Sequence, residues 1–287
     1  MSDGLTALGD FAQRHRKLFV LTGAGCSTDS GIPDYRDING EWKRPSPVTY
    51  QAFVGDDTTR RRYWARSLIG WSTMAQARPG AAHRALAQLE TAGRVELLLT
   101  QNVDGLHNAA GSHRTVDLHG RIDTVRCMGC DTRTPRAELQ AELRERNPFW
   151  AALEARPAPD GDADLVDHDF ASFDVPECPT CGGMLKPDVV FFGESVPKAR
   201  VTASFDALAQ ADAVLVAGSS LMVYSGFRFV EAAAKAGKPI AAINLGRTRA
   251  DDLFTLKIAQ PVGETLAALA AQLDPPLGDQ PPSENTR

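Results

Sequence analysis

The chain has 287 residues, 43% hydrophobic and 23% charged, which suits a soluble globular protein of one large domain or one large and one small. Its net charge of −5 argues against general nucleic-acid binding, which needs basic excess, and no stretch approaches the roughly 20 apolar residues that span a bilayer. The N-terminus lacks a basic region followed by an apolar run, so no secretory signal is expected.

In chain order, Leu5, Leu8, Phe11 and Ala12 recur at helical spacing and predict a first helix over residues 3–16. Residues 17–22 (KLFVLT) form a short apolar run that ends at a Gly-rich turn, as a buried parallel strand does. Similar runs follow at 95–99, 213–217 and 240–243, with helical segments at 81–92, 198–211 and 226–236. Gly93 and Gly237 fall where helix C-caps are expected. Strands alternating with helices predict an α/β fold, a parallel sheet with helices on both faces. From about 123 to 186 the rhythm breaks into two cysteine pairs and a Pro- and Asp-rich stretch, 156–169, which reads as an inserted small domain with a long loop.

Gly23-Ala24-Gly25-Cys26-Ser27 follows the first strand directly. Glycines there let backbone N–H groups approach a phosphate, although a tight strand-to-helix turn has the same composition. Thr28 occupies the third glycine position of the dehydrogenase fingerprint. A long loop with Pro33, Pro45 and Pro47 follows where a helix would be due, and its length suggests a lid over a ligand. Hydride transfer therefore fits poorly.

Gln101-Asn102-Val103-Asp104 stands just past the strand at 95–99, where residues line a ligand crevice. Asn102 and Asp104 could bind a sugar or an amide there, or simply form an Asx turn or cap. His119, in Leu118-His119-Gly120, is a candidate general base, while His107 reads as structural. Cys127-Met128-Gly129-Cys130 and Cys178-Pro179-Thr180-Cys181 form two knuckles that can present four thiolates to one tetrahedral zinc. Four cysteines imply a closed, structural site, and 47 residues (131–177) lie between the knuckles. Paired cysteines holding a metal place the chain in a reducing compartment, the cytoplasm by default. Gly218-Ser219-Ser220 and Asn244-Leu245-Gly246 also follow strands, so four small polar groups share one sheet edge and point to a nucleotide crevice.

These motifs, with Ser30-Gly31-Ile32-Pro33-Asp34-Tyr35-Arg36 and Val189-Val190-Phe191-Phe192-Gly193-Glu194, resemble the sirtuins in order and spacing over about residues 12 to 273. Within that family the chain is most similar to class II, the branch with mitochondrial sirtuin 4, through Tyr63-Trp64-Ala65-Arg66, Pro157-Ala158-Pro159-Asp160-Gly161-Asp162, Lys186-Pro187-Asp188 and Val223-Tyr224-Ser225-Gly226. The resemblance implies a discontinuous Rossmann-like NAD-binding domain (1–122 and 187–273), a zinc module (123–186) and, after it, a tail (274–287) whose prolines predict disorder. It implies an NAD-dependent protein-lysine deacylase that releases nicotinamide and transfers the acyl group to ADP-ribose. His119 would be the base, with Asn102 holding the ribose and a water. Ala24, Tyr35 and Arg36 would border the ribose and nicotinamide, Asp104 would bind the nicotinamide amide, and Ser219, Asn244 and Gly246 would hold the adenosine side. Gly23, Gly25, Ser27, Gln101, Val103, Gly218, Ser220, Leu245 and Val262 would complete the NAD contacts. Val190, Phe191, Phe192, Gly193 and Tyr224 would flank an acyl-lysine in a peptide added as a strand.

Tyr35 stands where most sirtuins have Phe, Ser225 where many have Pro, and the loop between the knuckles is long. All three agree with class II, whose members act weakly on acetyl-lysine and have been linked to other acyl groups and to ADP-ribosyl transfer. Tyr63 and Arg66 share a helix face and resemble the pair by which class III sirtuins bind acidic acyl chains. An exposed arginine and a packed tyrosine on an ordinary helix is the plainer alternative. The competing readings are mono-ADP-ribosyl transfer to protein from the same NAD site, and a zinc-ribbon binding module, which the acidic charge disfavours. The partner expected is an acylated lysine in a protein, met by a monomer that binds neither nucleic acid nor membrane.

Overall fold

The computed structural model describes residues 3–44, 47–165 and 168–273; the tail expected at 274–287 lies outside them. In chain order the elements are α1 (Asp3–Arg14), β1 (Leu18–Thr22), α2 (Tyr50–Gly55), α3 (Asp57–Gln76), α4 (Ala81–Thr91), β2 (Val95–Thr100), α5 (Leu106–Ala109), β3 (Thr115–Asp117), β4 (Gly120–Cys127) and β5 (Arg133–Pro135). They continue with α6 (Arg136–Arg146), α7 (Pro148–Ala151), β6 (Leu185–Val189), α8 (Lys198–Gln210), β7 (Ala213–Ala217), α9 (Tyr224–Lys235), β8 (Ile240–Ile243), β9 (Leu256–Ile258) and α10 (Val262–Leu273).

The six-stranded sheet runs β3-β2-β1-β7-β8-β9 and every pair in it is parallel. Counting only its own strands, the order is 3-2-1-4-5-6, with the direction of winding reversing between β1 and β7. Every residue of β1, β7 and β8 is buried, which is why the sequence shows continuous apolar runs rather than alternation. Alternate side chains feed two cores. Leu18, Val20, Leu98 and Leu215 pack with Leu8, Leu86 and Leu266 of α1, α4 and α10. Phe19, Leu21, Leu99 and Val216 pack with Leu208 of α8 and Phe229 and Val230 of α9 on the other face. Gly93 and Gly237 follow α4 and α9 in left-handed conformation, as the capping reading required.

A second, antiparallel sheet runs β5-β4-β6 and packs with α3, α6 and α7 around a third core that includes Phe53, Trp64, Trp150 and Phe173. The stretch 156–165 is seated rather than open. Ala158, Ala163 and Leu165 are buried, and Arg66 of α3 grips the Asp162 carboxylate with Nε and Nη2 at 2.8 and 2.7 Å. A Cβ on Gly70 would lie 2.3 Å from the carbonyl oxygens of Gly161 and Asp162, so this turn needs a helix surface without a side chain.

Gly70→Ala should therefore lift the loop from α3 at a cost of about 1–3 kcal/mol. Limited proteolysis between residues 156 and 165 should accelerate, with the midpoint of urea unfolding lowered. Cleavage at the original rate would show that the loop does not depend on this contact.

Candidate active site

The carboxyl ends of β1, β2, β7 and β8 open into a cavity of about 540 Å³ at the winding reversal, the position where open α/β sheets bind ligands. Its walls include every residue expected to border NAD: Gly23, Ala24, Gly25, Ser27, Tyr35, Arg36, Gln101, Asn102, Val103, Asp104, Gly218, Ser219, Ser220, Asn244, Leu245, Gly246 and Val262. His119, Val190, Phe191, Phe192, Gly193 and Tyr224 line the same space.

The glycines after β1 form the tight turn that the sequence held open beside a phosphate site. Gly25 donates its N–H to Gly218 O at 2.9 Å, and Cys26 and Ser27 close a tight turn onto Gly23 and Ala24. A Cβ on Gly25 would lie 2.9 Å from the Gly218 Cα, and Gly218 itself has φ +62°. The motif thus lets the β1 and β7 loops touch backbone to backbone, and the Gly25 N–H is not available to a phosphate. Cys26 within the motif is buried, donates its thiol to Ala217 O at 3.3 Å, and is pushed by burial up to about 12, so it is an inert thiol.

His119 stands at the end of β3, with Nδ1 2.9 Å from Gln101 O. A carbonyl oxygen only accepts, so Nδ1 carries the proton and Nε2 is the basic nitrogen. Burial, with smaller contributions from the Arg228 and Arg200 charges, pulls its pKa down to about 4 against the opposing pull of the Gln101 carbonyl. His119 is thus neutral and able to accept a proton at Nε2.

Asn102 donates through Nδ2 to Gly23 O at 3.2 Å and Ser27 Oγ at 3.0 Å, which leaves its side-chain oxygen as the group offered to a ligand. Ser27 Oγ in turn donates to Asp104 Oδ2 at 2.7 Å, and Asp104 Oδ1 accepts the Leu106 N–H at 2.8 Å. Behind them lies His83, whose Nδ1 accepts the Gly80 N–H (3.1 Å), so its protonated Nε2 faces Ser27 Oγ at 3.3 Å. His83 carried no weight in the reading of the sequence. The available signal was its place three residues after Gly80 at the start of an apolar helix, where a side chain can reach back to a free N–H. His107 is buried against Thr22 Oγ1 at 3.0 Å, in keeping with a structural histidine, and burial pushes its pKa down to about 3.

The segment expected to form a lid is folded into a flap. Arg36 donates to Gly40 O at 2.7 Å and lies 3.9 Å over the Trp42 ring, and Trp42 meets Phe192 edge-on at 5.7 Å. Arg247 N donates to Ile38 O at 2.7 Å, so the flap touches both the Phe192 and the Asn244–Gly246 walls. Pro45 lies outside the described residues.

Tyr63 and Arg66 do not line the cavity. Arg66 is committed to Asp162, and Tyr63 is packed between Phe53 and Phe191, with ring centroids at 5.3 and 5.2 Å. The acidic-acyl expectation finds no support in this arrangement: the Nε–Nη2 edge of Arg66 is taken by Asp162, and neither side chain borders the cavity.

Away from the cavity, the Sγ atoms of Cys127, Cys130, Cys178 and Cys181 all lie within 4.8 Å of one another. Cys127–Cys181 and Cys130–Cys178 are 3.5 and 3.8 Å apart. A tetrahedron of thiolates about 2.3 Å from zinc has edges of about 3.8 Å, so the four residues fit that ion and leave no open position.

Residues 23–225 match the Sir2 family. An NAD-dependent protein deacetylase of Xanthomonas campestris pv. campestris (strain 8004) is 65% identical over 269 residues, 94% of this chain and 92% of the relative. NAD-dependent protein deacetylase 1 of Streptomyces coelicolor is 48% identical over 278 residues, 96% of this chain and 93% of that protein. Among solved structures, a Sir2 protein with a p53 peptide and NAD+ superposes with a TM-score of 0.75 at 29% identity, over 93% of this chain and 96% of that one.

Removing one thiolate tests the metal assignment. Cys178→Ser should lose zinc and melt the β5-β4-β6 sheet, because metal binding and folding are coupled in such modules. Metal analysis and circular dichroism check it; retention of stoichiometric zinc would refute the assignment.

Proposed function

Because the chain belongs to the Sir2 family, the sirtuins, we propose that it is an NAD-dependent protein-lysine deacylase with His119 as its base. The observation that carries this reading is the Nδ1 bond of His119 to Gln101 O, which leaves a neutral imidazole with a basic Nε2 on the wall of a crevice also lined by the Phe191–Gly193 segment and Tyr224. The donor set fits NAD: Asp104 can accept from a carboxamide, the Asn102 side-chain oxygen can accept from a hydroxyl, and Ser219 and Asn244 stand across the cavity. When bound, NAD supplies an electrophilic ribose carbon and nicotinamide as leaving group. The chain's own part is to orient, through Ser27, Asn102 and Asp104, to exclude water under the flap, and to take up a proton at His119 Nε2.

We place the acyl-lysine between the Val190–Gly193 and Val223–Tyr224 segments. Beneath the first, buried Lys186 pairs with Glu194 at 3.1 Å, donates to Val189 O and lies 4.5 Å over the Phe191 ring. That brace supports the class II reading, in which Lys186-Pro187-Asp188 is one of the marks. The division into an NAD-binding unit (1–122 and 187–273) and a zinc unit (123–186) goes with this assignment. So does a cytoplasmic setting, since four ligating thiolates need a reducing compartment.

A panel of acyl-lysine peptides with NAD, read by nicotinamide release, tests the reaction; release that ignores acylation would favour ADP-ribosyl transfer instead. His119→Ala should lower deacylation by roughly 100-fold or more while NAD still binds. The lowered pKa of His119 keeps its basic form present down to about 4. Hence kcat/KM should show no His119 limb between about pH 6 and 8 and should fall only under more acidic conditions. Arg66→Ala should lower stability through the lost Asp162 pair and leave the ranking of acyl chains unchanged. A changed ranking would restore Arg66 as an acyl-reading residue.

A further inference from the structure

The base of the proposed reaction is not open to the cavity on its own. Ser225, the second residue of α9, has its Oγ 2.8 Å from His119 Nε2. Nδ1 is protonated and turned to Gln101 O, so Nε2 has only a lone pair to offer, and the serine hydroxyl must be the donor. A neutral imidazole has one such lone pair, and it is occupied. Ser225 and His119 both line the cavity.

Ser225 is held there by its surroundings. Its backbone O accepts from Arg228 Nε at 3.0 Å, and the next residue, Gly226, brings α9 so close to β2 that a Cβ would lie 2.4 Å from Gln101 Oε1. The same Gln101 orients the opposite nitrogen of the imidazole. The ring is therefore clamped on both edges, by a backbone carbonyl and by a helix N-terminal serine.

We propose that Ser225 is the proton relay of His119, resting on the deacylase reading above: a proton leaving a hydroxyl in the cavity reaches Nε2 through Ser225 Oγ. In the step, the O–H bond of the incoming hydroxyl breaks and its electron pair stays on that oxygen. Ser225 Oγ takes this proton as its own moves to Nε2. Serine ends neutral and His119 ends as imidazolium, with Nδ1–H still on Gln101 O. Proline at this position could not do this, and neither could alanine. The other groups facing the imidazole are the cationic Arg200 and Arg228, which favour its neutral form, and the Gln101 carbonyl, which favours its charged form.

The decisive measurement is made first on the free enzyme, by following the His119 ring nitrogens by NMR in wild type, Ser225→Ala and Ser225→Thr. The hydroxyl can donate to neutral Nε2 and accept from protonated Nε2–H, so the readout is the Nε2 resonance of the neutral ring: Ser225→Ala should shift it, and Ser225→Thr should leave it near wild type. With acylated peptide and NAD, Ser225→Ala should slow acyl transfer by about 10- to 100-fold. Its loss in nicotinamide exchange, which precedes any use of the base, should be smaller, and Ser225→Thr should recover most of the rate. An unmoved neutral-ring Nε2 resonance in Ser225→Ala overturns the proposal. So does acyl transfer at or above the wild-type rate, which would make the hydroxyl a plug displaced by substrate. If no acylated peptide releases nicotinamide with wild-type enzyme, the deacylase reading fails, and the free-enzyme Nε2 resonance still decides the Ser225–His119 contact.

Discussion

Gln101 ties the site together, and most of its geometry depends on that one residue. It sits one position past β2, where its N–H donates to Thr22 O at 3.1 Å and its side-chain Nε2 reaches the same oxygen at 3.1 Å and Ser219 Oγ at 2.8 Å. Its own carbonyl holds His119 Nδ1. The ends of β1, β2 and β7 and the imidazole beyond β3 are thus fixed to one amide-bearing residue. Neighbouring strands are about 4.8 Å apart, a span no single short side chain covers, and glutamine has the length and the paired donors to do it. Its acceptor side is met by Gly226, the only residue type that leaves room for it.

Around that anchor the polar groups are linked in series. His83 bears on Ser27, Ser27 on Asp104, and Asn102 on both Ser27 and Gly23. In a setting where burial drives His83 and His107 toward their neutral forms, each donor needs an acceptor, because an unpaired buried polar group costs more than a pair gains. The consequence is orientation. Each group has been relieved of rotational choice before any ligand arrives, which is what preorganised stabilisation of developing charge requires.

How far the sequence could be read follows from the range of the interactions involved. Residues 213–217 and 240–243 match their strands to the residue because fully buried parallel strands leave continuous apolar runs, and the helix at 81–91 ends one residue short of its expected limit before Gly93. Three-residue strands at 115–117 and 256–258 gave no sign, since they are too short to show a period and owe their form to the neighbouring strand. The cysteines of the metal site were legible because ligand chemistry imposes a local spacing. The crevice-lining groups at Gly23, Gln101, Gly218 and Asn244 were legible because each directly follows a strand, whereas Tyr35, Arg36, Tyr224 and Val262 came only with the family resemblance. The pairing of Arg66 was not legible because its partner, Asp162, is 96 residues away, and the same distance effect hid His83 behind Ser27 and Ser225 behind His119. Helical spacing tells which side chains share a face; it does not tell what lies opposite that face.

The long loop shows what that lost information was worth. Once Asp162 neutralises Arg66, α3 presents to the cavity side not a charge but a set of packed rings. Tyr63 meets Phe53 edge-on at 5.3 Å, Phe191 meets Phe53 at 5.2 Å and Tyr63 at 5.2 Å, and Phe191 carries the contact to the cavity wall. Burial pushes the Tyr63 phenol far above its ordinary range, so that ring stays neutral. On the far side of Phe191, Lys186 is itself buried and held by Glu194 and by Val189 O, which leaves no free cation there either. Arg66 and Lys186 are thus both paired within the chain. A ligand at this wall would therefore meet shape and apolar contact with Phe191 rather than a salt bridge, and the energies available to such a surface are graded by size, about 1–3 kcal/mol for each methylene gained or lost.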